Sequence, residues 1–133
     1  MADFVVHYEG GLRCHVAHPD NGAMLVMDAS QELGGLGENF SPSDMLSVSL
    51  GGCVLSIMAM AGRVAGLELA GATATVTKEM GNAPRRIVKM AVTVRVPGRH
   101  DVGQRKRLEA AAAACPVHAV LGIDAPIRIL WED

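Results

Sequence analysis

Aromatic side chains are almost missing from this chain: Phe4, Tyr8, Phe40 and Trp131 make up 3% of its 133 residues, of which 50% are hydrophobic. The core must therefore be filled by Ala, Val, Leu, Ile and eight Met, an adaptable and weakly patterned filling. An excess of one charge is missing as well. With 12 basic and 14 acidic residues and a formal net charge of −2, the chain lacks the polyelectrolyte footprint of a nucleic-acid binder. The opening MADFVVHYEG carries acid and has no long apolar core, so no secretory leader is read there and a reducing cytoplasm is the expected home. Disulfide staples are not needed, because a single domain spanning 1–133 can bury roughly two-thirds of its unfolded surface. The odd count of three cysteines therefore needs a chemical explanation.

Several motifs are absent too. There is no Gly-x-Ser-x-Gly elbow and no Ser-His-Asp order, which disfavours serine hydrolysis. Gly34-Gly35-Leu36-Gly37 lacks the strand-then-helix frame of a dinucleotide cradle and reads as a lid or plain loop. Cys14, His15 and His18 alternate across one strand and do not converge on a face, so no metal site and no cofactor are expected. Met45–Ala61 is a run of seventeen uncharged residues, but serines and glycines interrupt it and Asp44 and Arg63 bound it. A bilayer crossing wants ~20 predominantly apolar residues. A buried helix fits better than a membrane span.

What is present reads as an α+β fold. Phe4 to Tyr8, Leu12 to Ala17 and Met24 to Met27 form an N-terminal meander, punctuated by Gly10-Gly11 and Pro19-Asp20-Asn21-Gly22. Ser41-Pro42-Ser43-Asp44 combines a capping serine, a first-turn proline and an acid three residues after the cap. The long helix it opens runs from Pro42 to about Ala65, is stopped by Gly66, and is apolar on nearly every face, so it is expected to be covered all round. Ala72 to Lys78 and Ile87 to Val96 form a Thr/Val-rich hairpin through Gly81-Asn82-Ala83-Pro84. Asp101 to Ala114 reads as a helix, restarted at Pro116 as a short one to Leu121, and Ile127 to Trp131 closes with a strand.

On these elements the cysteines separate. Cys53 lies in mid-helix beside Gly51 and Gly52, which cost about 1 kcal/mol each relative to Ala and so imply a close approach of another group. Cys115 precedes Pro116 and is the expected N-cap of the short helix, where unpaired N–H groups and the helix dipole lower a thiol pKa. His118, in the same first turn, is placed to exchange a proton with that sulfur. Cys14 is read as an inert, half-buried strand residue. Arg85, Arg86 and Lys89 with Lys78 and Glu79 are read as a solvated face of the hairpin.

Phe40-Ser41-Pro42-Ser43-Asp44-Met45-Leu46 leading to Leu50-Gly51-Gly52-Cys53, together with Cys115-Pro116-Val117-His118-Ala119-Val120-Leu121, resembles the OsmC/Ohr family of thiol-dependent hydroperoxide reductases. The order of elements extends the likeness over essentially the whole chain. The resemblance implies an intertwined homodimer with two central helices between curved sheets and sites at the subunit interface. It also implies that Cys53 attacks an organic or lipid hydroperoxide, that Cys115 resolves the sulfenic acid as a disulfide, and that a lipoylated or small dithiol resets the pair. Arg13 matches the family's activating arginine, which keeps the peroxidatic sulfur charged.

One position departs from the family. Where its peroxidases carry a glutamate directly after the helix-starting proline to hold the arginine, this chain has Ser43. Asp44 lies about 100° further round the helix, and the nine residues to Cys53 span ~13 Å of axis, so an acid from this turn would serve a partner subunit. Asp44 also has a capping role to fill. Glu38, in the preceding loop, is the other candidate partner for Arg13. Against the peroxidase stand two rivals, a non-peroxidase relative that binds an apolar ligand or senses thiol redox state, and a general thiol–disulfide oxidoreductase.

Overall fold

The computed structural model describes residues 2–133 and parts into two compact units divided between Met45 and Leu46. The first holds three antiparallel strands in the order β1-β2-β3, with β1 at His7–Gly10, β2 at Arg13–Ala17 and β3 at Met24–Asp28. The register sets His7 against His15 and Tyr8 against Cys14, and Arg13 opposite Asp28. The first strand starts later than the apolar pattern predicts. Phe4, Val5 and Val6 remain more than half exposed and outside the sheet, because β1 runs on into Gly10 instead. Leu12, expected to open the second strand, closes the turn with a φ of 60°.

Beyond β3 the chain makes a 3₁₀ turn at Gln31–Leu33 and then the glycine-rich loop. Gly35 is there for space, since a Cβ on it would sit 2.1 Å from the carbonyl oxygen of Ala29. Backbone on both sides cannot give way cheaply. Gly35→Ala is expected to cost about 2 kcal/mol, of the order of other overpacked positions, read as a fall in the urea midpoint with an unchanged m value.

Helix α1, Pro42–Val64, starts where the sequence places it. Ser41 Oγ accepts the Asp44 N–H at 3.1 Å, and the Asp44 carboxylate accepts the Ser41 N–H at 3.1 Å, a reciprocal cap. At the other end Leu67 N–H bonds the Gly62 carbonyl at 2.7 Å, with Gly66 in the left-handed region.

In the second unit β4, Thr73–Gly81, pairs antiparallel with β5, Arg86–Pro97, and β5 pairs parallel with β6, Ile127–Glu132. A parallel return needs a crossover, and α2 at Val102–Ala113 with α3 at Pro116–Val120 supplies it. Helix α2 opens on an Asp101/Gln104 capping box. Strand β5 turns Met90, Val92, Val94 and Val96 inward at a period of two, where they meet Leu50, Val54 and Met58 of α1 and Leu108 and Ala112 of α2. Each of the larger side chains contributes roughly 1.5–3 kcal/mol by leaving water.

Helix α1 is not covered all round by its own chain. Its buried stripe is Ser47, Leu50, Gly51, Val54, Met58 and Gly62. Gly51 lies against β4, where a Cβ would come within 3.1 Å of a Val76 methyl, so the close approach inferred from the two glycines holds for this one. A Cβ on Gly52 would meet nothing within 4 Å, and Val48, Met60 and Val64 are half exposed or more. The uniformly apolar composition of the helix is thus used on one side only within the chain.

Candidate active site

Cys53 sits on α1 at the edge of the buried stripe, half-buried, and packs against the core cluster that contains Cys115. Cys115 is fully buried in the joint between α2 and α3. Both are free thiols, and Cys53 is near enough to help raise the Cys115 thiol. Sequence distance hides this pairing, because a helix and an interhelical joint meet only once the sheet has closed between them.

Cys115 caps α3 as its sequence context predicts, with Sγ accepting the His118 N–H at 3.5 Å. The consequence for its acidity is the reverse of the expected one. Burial, together with the neighbouring Cys53 thiol, pushes the Cys115 thiol up, and the N–H groups of His118 and Val117 pull it down only in part. Cys115 therefore holds its proton at neutral pH. The short helix end could not outweigh desolvation, because the core of the second unit closes over the sulfur completely.

His118 also departs from expectation. Only its backbone N–H reaches the sulfur; the ring Nε2 lies 2.7 Å from the Ala125 carbonyl. A carbonyl accepts only, so Nε2 carries the proton there and the ring ties α3 to the entry of β6. A groove of about 560 Å³ opens beside it, walled by Ala112, Ala113, Pro126, Ile127 and Ile129 and carrying Glu109.

In the first unit a second cluster forms round Arg13. Its guanidinium grips the Asp28 carboxylate side-on, Nε to Oδ1 at 2.6 Å and Nη2 to Oδ2 at 2.9 Å. Asp28 is 1% exposed and receives three further donors on Oδ2: the N–H groups of Glu38 and Asn39, each at 3.1 Å, and Asn39 Nδ2 at 3.0 Å. These donors hold its carboxyl far below the usual carboxylate range, with the Arg13 bond the largest cause. Of the two acids expected from sequence, Glu38 reaches Arg13 only at 3.8 Å from an exposed side chain. Asp44 caps α1. Sequence reading missed Asp28, although its signal exists: a lone acid ending an otherwise apolar strand, Met24-Leu25-Val26-Met27, in line with an arginine on the neighbouring strand.

The cluster carries a stability signature. A carboxyl held ionised by the fold contributes stability that is fully present above about pH 4 and is lost as pH falls below it. Asp28→Asn is expected to unfold at lower urea than the parent at pH 7. The two midpoints should converge as the pH is lowered toward 3, and a gap that stays constant with pH would refute the ionic reading.

Cys14 lies half-buried in β2 between Tyr8 and Met27. Among the described residues no three His, Cys, Asp or Glu side chains gather as metal ligands.

Comparison with known proteins places this geometry. The family model described as OsmC-like protein matches residues 35–129. A Psychrobacter arcticus 273-4 structure, named for osmotic stress induction and a detoxification response, is 31% identical, with 98% of this chain and 96% of that one covered and a TM-score of 0.90. An organic hydroperoxide resistance protein OsmC from Legionella pneumophila is 18% identical over 100% and 98% of the two chains, with a TM-score of 0.72. An OsmC like protein from Mycoplasma pneumoniae is 10% identical over 100% and 98%, with a TM-score of 0.82. The last two speak for the fold alone. No curated protein matches the sequence.

Proposed function

The chain belongs to the OsmC-like protein family, and from that premise we propose that it is a thiol-dependent peroxidase that reduces organic or lipid hydroperoxides to alcohols. The observation that carries the reading is the pair of free, neighbouring thiols in an apolar setting, one half-buried and one fully buried. Cys53, as thiolate, attacks the outer oxygen of ROOH; the O–O bond breaks, the alkoxide leaves and takes a proton from water to become ROH, and the sulfur becomes a sulfenic acid. Cys115 then attacks that sulfur, an S–S bond forms and water leaves. A dithiol reductant, lipoylated or small, restores both thiols as it becomes a disulfide itself.

Arg13 takes the activating role that its position in the family suggests, and Asp28 and Glu38 are the acids gathered on it. The unit that works is a homodimer in the cytoplasm, and the exposed apolar side of α1 supports the dimer. No metal or cofactor takes part.

The test is hydroperoxide consumption by the purified protein with excess dithiothreitol. Cumene hydroperoxide should disappear at least ~100-fold faster with the parent than with Cys53→Ser, the scale set by losing a nucleophile. Equal rates would overturn the proposal. The groove beside His118 favours one second reading, an apolar-ligand carrier. That reading gains if lipid co-purifies equally with the parent and a Cys53→Ser/Cys115→Ser variant while neither turns over peroxide.

A further inference from the structure

Ser43 leaves this chain without the acid that the family's peroxidases place after the helix-starting proline, yet Arg13 is not loose. We propose that Asp28 is the positioning residue for Arg13, taking over the holding role from the end of a strand instead of from the start of a helix. The inference rests on the peroxidase reading and on the activating role of Arg13 within it.

The geometry of the grip makes the argument. Asp28 takes the Nε and Nη2 edge of the guanidinium in a two-point contact, which fixes both the plane and the rotation of the group. Among the described residues Nη1 has no partner, so that nitrogen remains the donor available to an anionic sulfur or a peroxide oxygen. An end-on grip through both terminal nitrogens would have taken one of its two N–H donors. Asp28 cannot itself drift, because it is buried and its Oδ2 is shared with three donors from Glu38 and Asn39. Its own N–H is bonded to the Phe40 carbonyl at 3.2 Å, and the next residue's N–H to the Leu12 carbonyl at 3.0 Å. The carboxylate thus ties three things into one arrangement: the arginine on β2, the end of β3, and the loop that leads to α1. The register of β2 and β3, which sets Arg13 directly across from Asp28, requires no helix residue for this.

A helix-borne glutamate and a strand-borne aspartate differ in what they couple. An acid on α1 would hold the arginine only while the helix start and the arginine's strand keep their relative place. Asp28 holds it from the end of the neighbouring strand and is itself fixed by Glu38, Asn39 and Phe40 of the loop, so no residue of α1 takes part in the grip.

The experiment uses the full chain and reads hydroperoxide consumption against pH, with five variants beside the parent. Arg13→Ala should lower the second-order rate about 100-fold, the usual cost of removing a preorganised charged donor. Asp28→Asn should lower it about 10-fold and, like Arg13→Ala, move the acid limb of the rate–pH profile to higher pH. The double variant should be no slower than Arg13→Ala alone, since Asp28 acts through Arg13. Glu32→Gln, an exposed charge change in the same unit, should leave both rate and profile unchanged. Asn39→Ala removes one Oδ2 donor from an exposed side chain and should fold even where Asp28→Asn does not; a loss of about threefold is expected. A parent-like Asp28→Asn or Asn39→Ala beside a crippled Arg13→Ala would overturn the inference and leave the peroxidase reading standing. A parent-like Arg13→Ala would remove the arginine's role and the inference with it, while the Cys53→Ser comparison still decides peroxidase activity separately.

Discussion

Cys115→Ser is expected to leave the first turnover intact and to abolish the steady state. The first oxidation needs only Cys53 and the hydroperoxide, so one equivalent of substrate should vanish per sulfur at close to the parent rate, and the product should be trapped as a dimedone adduct on Cys53. In the parent no adduct should accumulate. On the proposed mechanism the buried thiol beside Cys53 should attack the sulfenic acid at an effective concentration far above that of any added reductant, ~10⁵ M or more for well-oriented groups. Without it, capture falls to millimolar dithiol in free solution. Turnover should drop by at least ~100-fold, and excess hydroperoxide should drive Cys53 on to the sulfinic acid, seen as a gain of two oxygens by mass. Burial sharpens the division of labour. Because burial and the neighbouring Cys53 raise the Cys115 thiol, Cys115 is expected not to compete for substrate and to react only on losing its proton once Cys53 is oxidised. A Cys115→Ser protein that cycles like the parent would show that Cys115 is only a core residue.

The cysteines illustrate what was legible from sequence and what was not. Short-range chemistry carried well. Ser41 and Asp44 cap α1, Cys115 caps α3, and the meander, hairpin, crossover helices and closing strand fall near their expected places. These features depend on residues within one turn or on a period of two or 3.6, which a linear pattern contains. Long-range consequences did not carry. The upward shift of Cys115 depends on Leu108, Ala112 and strand β5 closing over it, and Asp28 becomes visible only through the register that sets it against Arg13. Phe4 to Val6 have strand propensity but no strand, because propensity cannot decide whether a partner lies opposite. The link between Cys53 and Cys115 came from resemblance, as nothing in their spacing implies contact.

If the protein is the homodimer proposed above, Ala59→Glu is expected to make it a monomer. Helical geometry sets Val48, Gly52 and Ala59 on one side of α1, away from Leu50, Val54 and Met58, and all three are exposed in the single chain. A second copy of α1 suits this face, since Gly52 and Ala59 permit close approach and a twofold axis would bring the same patch from both sides. In such an interface one substitution acts twice. Each carboxylate would lose water without gaining a counter-charge, at a cost of at least about 3 kcal/mol, and the two together would weaken association by roughly four orders of magnitude. Sedimentation should find the parent at twice the chain mass of 13.9 kDa and the variant near 13.9 kDa at micromolar concentration. Ala59→Ser, small and neutral, should remain dimeric. The same measurement separates the other cover for an apolar helix of 23 residues, a lipid phase, because a membrane-bound parent would pellet with vesicles and need detergent to be recovered. A parent that runs as a soluble monomer would refute the dimer. It would also mean that Val48, Met60 and Val64 stay exposed in solution, so that the apolar sides of α1 serve some other contact.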